Sequence, residues 1–175
     1  MLCLFDYSSR YPVEQNVYLQ KTGRLLAHRL GQQFAELGFK TWICPGQNKG
    51  VDLKVYDSTG NLVIIAEILN WSIRTNLSRK RKNCIITNLE RYDCHRALIY
   101  TAMGNQTELN ELRIHGISVL EIGYQILPKC FYYFFEDKRQ VIRRKIDSRE
   151  TTLHIKSVIS EYLESLRLTT LHASL

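Results

Sequence analysis

Two strands folded back on one another constrain this chain more than any other stretch. Val51 to Tyr56 and Leu62 to Leu69 are β-branched and apolar, and Asp57-Ser58-Thr59-Gly60-Asn61 between them carries the residues that allow a reversal. Pairing Asp57 with Leu62 across that turn sets Asp52 directly opposite Glu67. Opposed side chains share a face, with Cβ atoms roughly 5 Å apart, so two carboxylates would meet inside otherwise apolar strands, where an unpaired charge is costly. Two readings follow. Asp52 sits in water at the hairpin mouth while Glu67 pairs with an arginine, or the two together hold a hard divalent cation, which takes carboxylate, carbonyl and water oxygens. A one-residue slip in register would put the two on opposite faces and remove the second reading.

The remaining chain supplies a frame of alternating strands and helices. A helix is expected from about Val17 to Leu37, with Gly23, Ala27, Leu30, Phe34 and Leu37 near one stripe and Gly38 ending it. The small residues Gly23 and Ala27 suggest close packing there. Phe39 to Cys44 reads as the first strand. After the hairpin come a helix from about Leu77 to Tyr92, a strand at Ala97 to Thr101, a helix at Glu108 to His115 stopped by Gly116, and a strand at Ile117 to Ile122. That order predicts an α/β fold, with parallel pairing after the antiparallel hairpin and a mixed β-sheet flanked by helices. His115 is expected to cap its helix. Thr151-Thr152 opens a last helix to about Leu166, whose apolar face is Ile155, Val158, Ile159, Tyr162, Leu163 and Leu166. Residues 1 to 16 have no clear period, and Tyr11-Pro12 reads as an extended entry.

Charge bears on partners. The 175 residues suit a single domain, 1–175, and their net charge of +7 favours a polyanionic partner. Arg79-Lys80-Arg81-Lys82 is the densest cationic run, either a phosphate-backbone contact or a solvated helix face. Arg81 and Asn88 lie close to the apolar stripe of their helix, aimed toward the sheet end that holds the carboxylates. Pro45 to Gly50, with Lys49, is a loop beside that pair. Either it offers backbone amides and an ammonium to a phosphate or it is an ordinary connection. Five cysteines without metal-ligand spacing read as reduced thiols of a cytoplasmic protein, and no stretch is long and apolar enough for a membrane span.

The order Gly38-Phe39, strand, Pro45 to Gly50 loop, Val51-Asp52-Leu53, turn, and apolar strand ending Ala66-Glu67-Ile68-Leu69 resembles the core of PD-(D/E)XK nucleases. It is most similar to archaeal Holliday-junction resolvases and related small nucleases, over roughly residues 20 to 101. The resemblance implies a restriction-endonuclease-like core and a Mg²⁺ (or Mn²⁺)-dependent DNA endonuclease, with the metal on Asp52, Glu67 and the backbone carbonyl of Ile68. The lysine that such enzymes carry two residues after the glutamate, where it positions water and offsets phosphate charge, is Leu69 here, followed by Asn70. Lys54, two residues along the strand from Asp52, is the first substitute, with Lys49 and Lys80 behind it. The acidic residue common on the first helix falls at Ala27 or His28, which points to a single metal. Arg79, Lys80, Arg81, Lys82 and Lys49 are the expected DNA contacts, and Trp71 is either a base-stacking surface or a core residue. The alternative is a nuclease-fold protein that binds nucleic acid with impaired catalysis. The aromatic run Phe131 to Phe135 suits a sheet edge, a seat for the last helix or the interface of a homodimer. Lys138 to Arg149 reads as a second basic patch.

Overall fold

The computed structural model describes residues 12–44, 50–71, 74–126, 132–137, 140–144 and 148–168, with 12–23, 124, 132–144 and 148 followed as backbone only. Helix α1, Pro12–Glu36, starts earlier than its apolar stripe because proline suits the first helical position, where no N–H is needed; the extended entry expected at Pro12 is replaced by a helix start. Leu26, Ala27, Leu30 and Phe34 are buried. Gly38 ends the helix at φ 93°, the Phe39 amide donates to the Phe34 carbonyl at 3.1 Å, and the two rings pack edge to face at 6.3 Å. The close approach of α1 to the sheet is at Gly31, where a Cβ would lie 3.1 Å from Ile43 Cδ1.

Strands β1 (Lys40–Ile43), β2 (Leu53–Tyr56), β3 (Leu62–Leu69), β4 (His95–Tyr100) and β5 (Ile117–Glu121) form one five-stranded sheet in sequence order. β1, β2 and β3 pair antiparallel, and β3–β4 and β4–β5 pair parallel. Helices α2 (Arg79–Leu89) and α3 (Leu109–Ile114) are the crossovers between the parallel strands, and α4 (Ser148–Ser165) closes the chain. Alternation along the strands sorts the core in two. Leu53, Val55, Ile64, Ala66, Ile68, Ala97 and Ile99 meet α1 and α4, where Ile155, Ile159, Tyr162 and Leu163 are buried. Ile65, Leu69, Leu98, Tyr100 and Ile117 cluster with Ile85 and Leu89 of α2 and Leu112 of α3. The protein is therefore an α/β fold with a mixed sheet covered on both faces.

The turn between β2 and β3 departs from expectation. Tyr56, rather than Asp57, pairs with Leu62, and a register shift follows at Val55/Tyr56. Asp57 belongs to the turn, where its Oδ1 accepts from the amides of Thr59 and Asn61, each at 2.9 Å. Beyond the shift, Leu53 pairs with Ala66, so the pattern expected from the sequence holds where it matters.

A second, antiparallel sheet follows: β6 (Tyr124–Ile126), β7 (Tyr132–Asp137) and β8 (Gln140–Arg144). The run at 131–135 thus supplies the middle strand of this sheet, not an edge of the first; Phe131, and the packing of the aromatic side chains, lie outside the described residues. So do parts of the basic stretch at 138–149. Asn70 ties this sheet to the end of β3, its side chain donating to the Ile126 carbonyl at 2.6 Å and accepting from the Ile126 amide at 3.0 Å. His115 caps α3 and its Nδ1 lies 2.7 Å from Glu90 Oε1. Among the described residues, no helix is long and apolar enough to cross a membrane, and Cys44, Cys84 and Cys94 are free thiols.

Candidate active site

β2 begins at Leu53, opposite Ala66; just before it, outside the regular ladder, the Asp52 amide also bonds to the Ala66 carbonyl at 3.0 Å, and its carboxylate lies beside Glu67. The Asp52 carboxylate accepts from the Ile68 amide at 2.7 Å, which aims it along the sheet toward the glutamate. The two carboxyls are close enough to share a hydrogen bond. Glu67 is enclosed, its side chain 2 % exposed. Two side chains of α2 reach it: Asn88 Nδ2 donates to Oε1 at 3.0 Å, and Arg81 donates to Oε2 at 3.3 Å. Ser78 fixes the start of that helix by accepting from the Arg81 amide at 3.2 Å.

Burial and then the neighbouring Asp52 charge push the Glu67 carboxyl up to about 7, against the opposing pull of Asn88 and Arg81. Burial also raises Asp52, against the Ile68 amide and Arg81. Two acids that resist ionising together are short of positive charge, a lack that a cation removes as well as a proton does. The donor set fits one hard cation, since Mg²⁺ commonly takes one or two carboxylates and keeps several waters. Among the described residues no group of three or more His, Cys, Asp or Glu side chains is placed to hold a metal ion, so the acidic side-chain donors here are the two carboxylates.

The pair opens on a cleft of about 870 Å³ between the start of β2 and one face of α2, walled by Arg79, Lys80, Arg81, Asn83, Thr87 and Arg91. The first turn of α2 holds no acidic residue, although a helix N-terminus favours anions and repels cations. Stacking Arg79, Lys80 and Arg81 there is costly for an isolated helix and suits a negatively charged visitor.

The other expected residues fall elsewhere. Lys54 shares the face of Asp52 but does not line the cleft: its Nζ lies 5.2 Å from the Trp42 ring centre and 5.1 Å from that of Tyr92. Lys82 is not a surface contact. Its side chain is 4 % exposed and its Nζ bonds Glu108 Oε2 at 2.6 Å and Glu111, tying α2 to the start of α3. Ile68 contributes its amide to Asp52, while its side chain is buried on the opposite face. Leu69, in the place of the lysine, is 3 % exposed in the apolar cluster beneath α2, and Trp71 packs against the same cluster. Ala27 is buried and His28 exposed, and neither lines the cleft. Lys49 lies outside the described residues. Asn83, Thr87 and Arg91 also line the cleft: Asn83 and Thr87 follow Lys80 by three and seven residues, and Arg91 follows Asn88 by three, just past the end of α2.

No protein-family profile matches the chain, and no curated protein matches it. Among solved structures, the crystal structure of a protein of unknown function, AF1548, is similar with a TM-score of 0.42 and 13 % identity, over 82 % of this chain and 77 % of that one.

Proposed function

We propose that this protein is a divalent-metal-dependent endonuclease that hydrolyses phosphodiester bonds of DNA on a restriction-endonuclease-like core, as a homodimer. The observation that carries the reading is the buried Asp52–Glu67 pair at the floor of a cleft with cationic walls. Asp52, Glu67 and the Ile68 carbonyl would hold Mg²⁺ or Mn²⁺. When bound, the metal supplies polarisation of the phosphodiester and a more acidic bound water. The chain does the positioning: the Ile68 amide orients Asp52, Asn88 orients Glu67, and Arg79, Lys80 and Arg91 hold the phosphates that run along the cleft.

A second reading has one observation in its favour. Leu69 is built into the core where the resembling enzymes carry a lysine, and a scaffold that binds nucleic acid without cutting it would need no lysine there. Labelled duplex, single-stranded, flap and four-way-junction DNAs, with Mg²⁺ or Mn²⁺, separate the two. Cleavage by the parent that falls more than ~100-fold in Asp52→Asn and Glu67→Gln supports the endonuclease. Undiminished cleavage by both variants refutes it, and tight salt-sensitive binding without cleavage on any substrate selects the second reading.

A further inference from the structure

We infer that Arg81 is a resident counter-ion of Glu67 that an incoming divalent cation displaces, so that metal binding releases its guanidinium into the cleft to meet a substrate phosphate. This rests on the proposed metal site and adds to it a coupling between metal and nucleic acid. Three features of Arg81 carry it.

The contact is loose. One nitrogen of Arg81 reaches one oxygen of Glu67 at 3.3 Å, whereas a committed arginine–carboxylate pair makes two bonds at about 2.7–2.9 Å. Asn88 holds the other oxygen at 3.0 Å and is neutral, so it can stay when the charge balance changes. The exposure is uneven: the Glu67 side chain is 2 % exposed and that of Arg81 is 43 % exposed. The carboxylate cannot leave, and the guanidinium can swing into water or onto an anion without crossing the core.

Charge balance gives the direction. Asp52 and Glu67 are the acidic residues lining the cleft, and Arg81 is the one cation bonded to them among the described residues. A divalent cation seated on both carboxylates satisfies them and repels the neighbouring guanidinium. Arg81 lies in the same helical turn as Arg79 and Lys80, at the amide end of α2, where an anion is favoured. Released there, it stands where a phosphate would sit and provides from a helix the positive charge that Leu69 does not provide from β3. By linkage, metal and polyanion each strengthen the binding of the other.

The test uses the full chain and Mn²⁺ alone, followed by calorimetry, then duplex DNA followed by fluorescence anisotropy with and without Ca²⁺. Arg81→Ala and Arg81→Gln are expected to bind Mn²⁺ several-fold more tightly than the parent, because no resident cation has to be moved. In the parent Ca²⁺ should tighten DNA binding by about fivefold or more, and in both variants that gain should disappear. Arg79→Ala, which removes the same charge from the same turn without the contact to Glu67, should lose DNA affinity yet keep the gain from Ca²⁺. Unchanged or weaker Mn²⁺ binding in the Arg81 variants overturns the inference while leaving the metal site standing, as does a Ca²⁺ gain equal to the parent's. A parent that binds no Mn²⁺ defeats the metal site itself and the inference with it.

Discussion

Arg81 and Lys82 are neighbours in one helix and serve opposite ends. Lys82 is 4 % exposed and bonded to two carboxylates, Glu108 and Glu111, which remain more exposed than it is. Arg81 is 43 % exposed and touches a carboxylate that is 2 % exposed and that shares its site with a second carboxylate. In the first the buried ammonium is held by two carboxylates, and it ties α2 to the start of α3. In the second the buried group is left wanting charge beside an open cleft. The first charge is closed off by its partners; the second, at the proposed metal site, has room beside it for another cation.

The sharpest way to break this contrast is to add a third buried charge. Leu69→Lys places an ammonium among Val51, Ile65, Leu77 and Ile85. It should cost about 2–5 kcal/mol in urea unfolding. Undiminished stability would mean that the ammonium reaches Glu67 and that the site still accommodates it.

The second effect is on pH. Glu67 titrates near 4.5 when unfolded and near 7 in the fold, so between those values the folded state binds more protons. Its contribution to stability is fully present below about pH 4.5 and is lost as pH rises through 7, by ~3 kcal/mol at most. Asp52, also raised, acts in the same direction. Glu67→Gln should remove this slope from metal-free unfolding curves, and a parent-like slope in that variant would show that other groups cause it.

The smallest effect compares charge reversals. Arg81→Glu and Lys82→Glu each place a third carboxylate in an acidic pair, and each should lower the midpoint of thermal unfolding by several degrees. Mn²⁺ should restore Arg81→Glu and leave Lys82→Glu low; equal recovery of both would erase the distinction between the two regions.

Much of this was legible in the residues. The strands around Asp57–Asn61 follow from alternation, and a count across the turn brings Asp52 to Glu67, although the flank of the turn is Tyr56 and not Asp57. The Asp57 carboxylate captures nearby amides, and the register shift at Val55/Tyr56 then restores the pairing that a wrong flank had suggested. The run of four cations reads as one surface, and Lys82 departs from it by turning inward to Glu108 and Glu111. The phase of the helix held the correction: Lys82 precedes Ile85 by three and Leu89 by seven, so it stands on the apolar stripe. The cleft-facing positions of Arg81 and Asn88 were readable by the same phase. The role of Asn70 was not, because its partner Ile126 is 56 residues away in a short strand of a second sheet. The position of Lys54 between two rings likewise depends on Tyr92, beyond the end of α2.

The described side chains that touch the carboxylate pair come from one continuous stretch, Asp52 to Asn88: a hairpin and the helix that follows it. The face behind it is closed by α1 and α4, which lie near opposite ends of the described chain and share one apolar cluster. The entropy lost in joining two segments grows with the chain between them. The carboxylate site is therefore written in a short stretch of chain and the scaffold in a long one. During folding the hairpin and its helix can find each other at little entropic cost, while the apolar face of the same sheet waits for the two distant helices to meet.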